Sequence, residues 1–408
     1  MNILAIETSC DDTAIAILNI APANNNCGEK AHILANIVHS QIRIHAPYGG
    51  VFPSLAKREH AKNLMPLLIA ALKKASLFAK EEPLLQEENF LFAKKLLEKE
   101  PELLTQFLSK IPAIKKPPID AIAVTYGPGL EPALWVGINF AKALSRAWGV
   151  PIIAANHMEG HLFSPFMRGK TFSIPNLSFP VLALLISGGH TELVLMKDWN
   201  KYRIIGQTRD DAVGEAFDKV ARMLSLPYPG GPEVSKRALL FNQSGKKMEI
   251  SLPRPMLHSD DCDFSFSGLK TAVKYLLDDF KKAGISLTDK LISEICHEFQ
   301  SAVTDVLVSK TIRALSKHSP QMFVVGGGVS ANTAIRKALK KSTSHHTKNI
   351  AILLPNPSFT GDNAAMIALA AYFKFKKNRA SKKLSALKAV GNVRIDAQKM
   401  PAVFIQQA

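Results

Sequence analysis

The chain has 408 residues, 47% hydrophobic and 21% charged, an ordinary balance for a soluble globular protein and enough length for two domains. No uncharged apolar run approaches the ~20 residues of a membrane helix, and the four cysteines (Cys10, Cys27, Cys262, Cys296) form no CxxC pair. That excludes a zinc ribbon or disulfide framework and fits reduced thiols in the cytoplasm.

Net charge is +17, and the stretch from Arg336 onward carries +12 of it, with 14 Lys or Arg against two acids. Such a stretch favours a polyanionic partner through counterion release, the alternative being a solubilising surface. The chain opens on Met1-Asn2-Ile3-Leu4 with no basic leader, so no signal or transit peptide is expected.

Residues 2–20 read as strand, small polar turn and strand, with Thr8-Ser9-Cys10-Asp11-Asp12 in the turn. Such a turn can offer N–H donors to a phosphate, although a plain hairpin looks much the same. A further strand is expected over 33–38, then a helix from about Leu55 to Lys74 with Ser54 as its cap. Residues of about 80–118 have helical leucine spacing and bounding prolines, which suggests an inserted helical element for packing or partner contact. Ile119–Thr125 reads as a buried strand entering Gly127-Pro128-Gly129, a weak anion-binding signal at a helix N-terminus.

Asn156-His157-Met158-Glu159-Gly160-His161 follows the next apolar run. On a helix, His157 and His161 share one face, so both imidazoles can reach one metal ion; core histidines are the alternative, and spacing does not decide between them. Thr360-Gly361-Asp362-Asn363 could supply an anionic third ligand, and Asp362 is equally well placed to cap the helix that follows.

Residues 180–196 repeat the opening pattern of strand, small polar turn (Ser187-Gly188-Gly189-His190-Thr191) and strand, which argues for two lobes of related topology. Asp211, Glu215 and Asp218 share a helix face. A strand over 322–325 runs into Gly326-Gly327-Gly328-Val329-Ser330-Ala331-Asn332, where Asn332 can cap a helix or contact a ligand.

Taken in order, ETSCDDT, HMEGH, LISGGHTEL, DDAVGEAFDK, YPGGP, DFSFSGLKT, GGGVSAN and GDNAAMIA resemble the tRNA threonylcarbamoyladenosine transferase family of bacterial type, once misnamed O-sialoglycoprotein endopeptidase. The likeness spans most of the chain apart from 80–118 and the extreme C-terminus. It implies an α/β, two-lobed actin-like ATPase fold with duplicated domains and an inter-lobe cleft. The lobes are expected at 1–155 and 156–375, the second carrying the metal and nucleotide motifs, with a basic segment 376–408 packing back on the first.

The activity implied is transfer of a threonylcarbamoyl group from threonylcarbamoyl-AMP to the exocyclic amine of the adenosine 3′ of the anticodon. By the same resemblance the metal ligands are His157, His161 and Asp362, for one divalent ion per subunit, usually iron, with zinc as the alternative. Substrate contacts fall on Leu185, Ile186, Ser187, Gly188, Gly189, Asp218, Gly231 and Asn332, and Asp11 is the catalytic candidate, as base or as positioning group. Implied partners are tRNA, a dimerising paralogue and a small P-loop ATPase.

The chain departs from the family pattern at Asn156, where a His is frequent, at Asp12 in place of Glu, at Ser54 in Pro53-Ser54-Leu55-Ala56-Lys57-Arg58, and at Glu131-Pro132. A metalloprotease is the rival enzyme class, but HMEGH lacks the HExxH spacing. A sugar-kinase-like ATPase would not need His157, and a scaffold paralogue should have lost the metal residues.

Overall fold

The computed structural model describes residues 1–21, 29–82, 87–174, 177–243, 248–346, 350–377, 381–397 and 403–405; Cys27 and residues 83–86 of the expected insertion lie outside them. In chain order the strands are β1 (Asn2–Glu7), β2 (Asp12–Ala21), β3 (Lys30–Ser40), β4 (Ala121–Gly127), β5 (Ile152–Asn156), β6 (Thr171–Ser173), β7 (Val181–Ile186), β8 (Thr191–Asp198), β9 (Lys201–Gln207), β10 (Met322–Gly326), β11 (Ala351–Leu353), β12 (Ser381–Lys383) and β13 (Val403–Ile405). The helices are α1 (Ile42–His45), α2 (Pro53–Lys74), α3 (Glu87–Leu97), α4 (Pro101–Lys110), α5 (Glu131–Trp148), α6 (His157–Phe163), α7 (Val213–Met223), α8 (Gly230–Gln243), α9 (Ser267–Lys282), α10 (Asp289–His318), α11 (Thr333–His346) and α12 (Ala364–Lys377).

Two compact units result. The first comprises 1–45, 51–176 and 361–408, the second 46–50 and 177–360. The first sheet contains the order β3-β2-β1-β4-β5 and the second β9-β8-β7-β10-β11. In both, the leading strand pairs antiparallel with the next and parallel with the strand that returns after a long excursion. The duplication suspected from two similar hairpins is therefore a duplication of sheet topology.

In the first unit Ile3, Leu4, Ala5 and Ile6 are all fully buried, the continuous apolar run of a strand covered on both faces. Leu4 and Ile6 join the cluster of Leu64, Leu68, Phe140 and Leu144 from α2 and α5. Alternation along the strand turns Ile3 and Ala5 to the opposite face, and α12 packs across β1, β2 and β5 as well. Each such Leu, Ile or Phe contributes roughly 1.5–3 kcal/mol of burial.

The expected boundaries at 155 and 375 fall elsewhere. Helices α6 and α12 pack on each other and on the first sheet, and β13 pairs antiparallel with β5, so 156–176 and 361–408 belong to the first unit. The expected insertion forms α3 and α4, which bury Leu97, Leu103 and Phe107 in the core of that unit, with the Phe107 ring edge-on to Phe140 at 6.2 Å. Helix α2 begins at Pro53 rather than Leu55, and Ser54 does not cap it, because proline occupies the first turn where no N–H needs a partner.

The Gly127-Pro128-Gly129 turn is a packing device. The Gly129 N–H donates to Gly391 O at 2.9 Å and the Leu130 N–H to Ser9 O at 2.7 Å, so these donors are spent on protein. Gly129 has φ +155°, and a Cβ there would lie 2.4 Å from Ser9 O; only glycine allows the turn this close to the first hairpin.

Candidate functional site

His157 and His161 lie one turn apart on α6, whose start is fixed by its own sequence. The Asn156 side chain accepts from the Met158 N–H at 2.8 Å and the Glu159 N–H at 3.4 Å, and Glu159 reaches back to the Asn156 N–H. This is a capping box, with Asn in place of the usual Ser or Thr. The two imidazole rings stand 4.6 Å apart between centroids and nearly perpendicular, at 84°.

Asp362 meets them from the loop before α12. Its Oδ1 lies 3.1 Å from His161 Nε2 and 3.5 Å from His157 Nε2. One ligand atom from each of the three residues lies within 4.8 Å of the others. The capping role open to Asp362 falls instead on Asn363, whose Oδ1 accepts from the Met366 N–H at 3.1 Å.

The chemistry of this donor set fits a divalent cation. His161 is fully buried, and among the described residues neither ring nitrogen has a hydrogen-bond partner; the close Asp362 oxygen is not aligned for one. A buried imidazole left in that condition is unfavourable by a few kcal/mol unless its lone pair meets an electrophile. His157 is oriented from behind. Its Nδ1 lies 3.3 Å from Glu7 Oε2 and 3.1 Å from Ser9 Oγ, which turns Nε2 toward Asp362. Glu7 is in turn held by the Ser9 N–H at 2.6 Å and the Thr125 hydroxyl at 2.5 Å.

Titration follows from this arrangement. Burial pushes the Asp362 carboxyl up, but the histidines, His157 above all, hold it well below the usual range. For His157, burial opposes protonation, yet Asp362 and Glu7 on either side raise it well above an ordinary imidazole. His161 is lowered, by burial first. A cation would replace the proton that the His157 site otherwise attracts.

Asp11 ends the turn between β1 and β2, and Asp12 opens β2. Burial first, and the Asp362 charge second, raise both, Asp12 to about 7. Behind the turn, His60 on α2 accepts or donates at 2.7 Å with the Thr13 hydroxyl and lies 2.9 Å from Cys10 O, and burial drives its pKa down to about 4. A neutral His60 thus donates from Nε2 to the Cys10 carbonyl and accepts from Thr13.

The second unit has a pocket of about 350 Å³, within the usual size of small-ligand sites. Of the expected substrate residues it brings together Gly188, Asp218, Gly231 and Asn332. Leu185 and Ile186 are fully buried in β7, and Ser187 and Gly189 do not line it. Asp218 Oδ1 accepts from the Gly230 N–H at 2.7 Å, fixing the start of α8. Asn332 Oδ1 accepts from Ala334 and Ile335, and its amide donates to Gln300 at 2.7 Å. Gly327, at φ +91°, lies so close to Ile186 O that a Cβ would stand 2.3 Å from it, which draws the glycine turn onto β7.

Phe217 and Pro232 fall inside DDAVGEAFDK and YPGGP but carry no assigned role from sequence, and Ser235 lies outside every motif. The acidic stripe before and along α7 is bridged rather than free, with Lys219 at 2.8 Å from Asp211 and 2.7 Å from Glu215. Among the described residues no helix is long and apolar enough to cross a membrane.

Two α/β units of one sheet order, with a His-His-Asp convergence in the first and a glycine-walled pocket in the second, define a duplicated α/β protein with a candidate metal centre and a candidate ligand pocket. Residues 32–81 and 92–369 match the family model described as TsaD: tRNA N6-adenosine threonylcarbamoyltransferase. The chain belongs to this family. Proteins with that same name are similar along nearly their whole length: 40% identity over 395 residues in Thermosipho africanus (97% of this chain, 100% of that protein). In Bartonella bacilliformis it is 41% over 393 residues (93% and 92%), and in Desulfitobacterium hafniense 39% over 375 (92% and 92%). The match resumes at residue 92, so α4 belongs to the family fold, and the expected gap of 80–118 narrows to 82–91.

Proposed function

We propose that this chain transfers the threonylcarbamoyl group of threonylcarbamoyl-AMP to the exocyclic amine of the adenosine 3′ of the anticodon, in tRNAs reading codons that begin with A. The observation that carries the chemistry is the convergence of His157, His161 and Asp362, with both ring nitrogens of His161 buried and without a hydrogen-bond partner among the described residues. The shared name of relatives matched almost end to end supports the reaction class over a metalloprotease or a sugar-kinase-like ATPase.

His157, His161 and Asp362 would hold one divalent ion, and two imidazoles with one carboxylate suit iron(II), with zinc as the alternative. When bound, that ion supplies Lewis acidity toward an anionic oxygen. Glu7 and Ser9 keep the His157 ring turned so that Nε2 is the free nitrogen. In the second unit, Gly188 and Gly231 give the pocket a wall without side chains and Phe217 and Asp218 line it, so Asp218 would accept from ribose hydroxyls and Phe217 would offer its ring to the base.

In the reaction the adenosine amine attacks the carbamoyl carbon, a C–N bond forms, and the bond from that carbon to the phosphate oxygen breaks with AMP as leaving group. The amine proton needs an acceptor. Asp11, whose carboxyl is raised above the ordinary carboxylate range by burial first and the Asp362 charge second, takes it or positions the amine. Bacterial partners, a dimerising paralogue and a small P-loop ATPase, complete the cytoplasmic assembly.

The test is reconstitution of the chain with those partners, threonylcarbamoyl-AMP and unmodified tRNA, followed by nucleoside analysis. His161→Ala should abolish the modified nucleoside; full activity in that variant would remove the metal group from the mechanism. Asp11→Asn separates its two roles, since a base shifts the pH profile and a positioning group lowers the rate at every pH.

A further inference from the structure

Helix α11 carries Arg336, Lys337, Lys340, Lys341, His345 and His346 and no acidic residue. Ile335, Leu339 and Thr343 bury one face, while Lys337, Lys340, Lys341 and Ser344 stand exposed on the other. Arg336 is not part of that face, because its guanidinium donates to Ser330 O and Pro355 O, both at 2.9 Å.

A helix of this kind is commonly neutralised by acids on its neighbour, but here those acids are already committed. Helix α11 packs on α10. On α10, Asp289 pairs with Arg237 at 2.9 Å and Asp305 with Arg254 at 3.0 Å. Glu294 and Glu298 are buried and accept from backbone N–H groups of Glu249, Ile250 and Leu252. Among the described residues Lys337, Lys340 and Lys341 have no ion pair.

The helix also starts at the pocket. Asn332 and Thr333 line it, and Asn332 caps the helix. At ~1.5 Å per residue the exposed lysines extend away from the pocket rim along a helix of roughly 20 Å.

We propose that the exposed face of α11 is a docking track for the phosphate backbone of the RNA substrate, beginning at the rim of the pocket. The proposal rests on the reading that the chain acts on tRNA, and it adds which surface of the second unit receives it. A solubilising surface would mix both signs. A membrane-binding helix would expose large apolar residues between its cations, and the residues exposed along this helix are Thr, Lys, Ser and His.

The test measures binding of unmodified tRNA to the full-length chain, with its partners, by fluorescence anisotropy from about 50 to about 200 mM salt. The variant is Lys337→Ser, Lys340→Ser and Lys341→Ser together. The control removes the same charge from α9 through Lys274→Ser, Lys281→Ser and Lys282→Ser, all exposed. The α11 variant should lower the slope of log K against log salt by about 2–3, and weaken binding about tenfold or more, with AMP affinity unchanged. Lys341→Ser alone should lower the slope by about 1.

Unchanged slope and affinity in the α11 variant, an equal loss in the α9 control, or a wild-type chain that does not bind tRNA would each overturn the track. A wild-type assembly that binds through α11 yet forms no threonylcarbamoyladenosine upholds the track and overturns the function proposed above.

Discussion

Glu7 Oε2 lies 3.3 Å from His157 Nδ1, at the end of β1 and wholly out of solvent. The carboxylate selects the imidazole tautomer whose free nitrogen points to Asp362, and carboxylate–histidine pairs of this kind tune metal sites from behind. Glu7→Gln should weaken divalent-metal binding about 10–100-fold, as read by equilibrium dialysis against zinc or anaerobic iron(II). Ser9→Ala, which removes only the second contact to the same nitrogen, should weaken it less. Equal metal affinity in Glu7→Gln and wild type would show that the tautomer is set elsewhere.

Gly129 transmits a packing defect to the same ring. Ala at this position places a Cβ 2.4 Å from Ser9 O at a φ of +155°, and Ser9 Oγ touches His157. Gly129→Ala should therefore lose about 2 kcal/mol or more of stability and weaken metal binding as well. Chemical denaturation and metal titration on one preparation check both; a loss of stability with metal affinity intact would uncouple the turn from the site.

His60 should make the hairpin acid-sensitive. Burial lowers its pKa from 6.5 to about 4, so between those values the unfolded chain binds the proton and the native chain does not. Stability from this residue is present above pH 6.5 and falls as pH drops through that window, by about 3 kcal/mol in full. Asp12, raised from 3.8 to about 7, works in the opposite sense across the whole of that window. The difference in unfolding free energy between wild type and His60→Gln isolates the His60 share, and a pH-independent difference would refute it.

Gly231 allows binding to be separated from folding. The nearest atom to a Cβ there is Phe217 Cβ, at 4.0 Å, so a side chain would extend into the pocket without backbone conflict. Gly231→Leu should keep the wild-type melting temperature and lose AMP binding by at least about tenfold, since a branched side chain fills much of the pocket volume. Calorimetric titration with AMP checks this; retained affinity would move the nucleotide elsewhere.

Much of this architecture was legible because period and composition agreed with tertiary structure. The apolar runs at β1, β4 and β7 are buried on both faces, and the two hairpins share one sheet order. Histidines four apart read directly as one helix face. What stayed illegible depended on long-range packing: Asp362 joins the first unit only because α12 lies on the first sheet, and nothing local in Gly361-Asp362-Asn363 announces that. The glycine turn at 127–129 looked like an anion site because its N–H partners, Ser9 and Gly391, are far away in sequence. Glu7 was passed over as the last residue of a strand, and its role emerges only once β4 and α6 are beside it.

The discontinuity of the first unit sets an order on biosynthesis. Residues 177–360 form one nearly unbroken stretch and can fold as soon as they leave the ribosome, whereas the first unit waits for 361–408. Asp362, the acidic member of the convergent trio, belongs to that late segment, as does β13, which covers the edge of β5. A nascent chain interrupted before this point would lack both Asp362 and the strand that pairs with β5, leaving Glu7 as the carboxylate beside His157 and the sheet edge open.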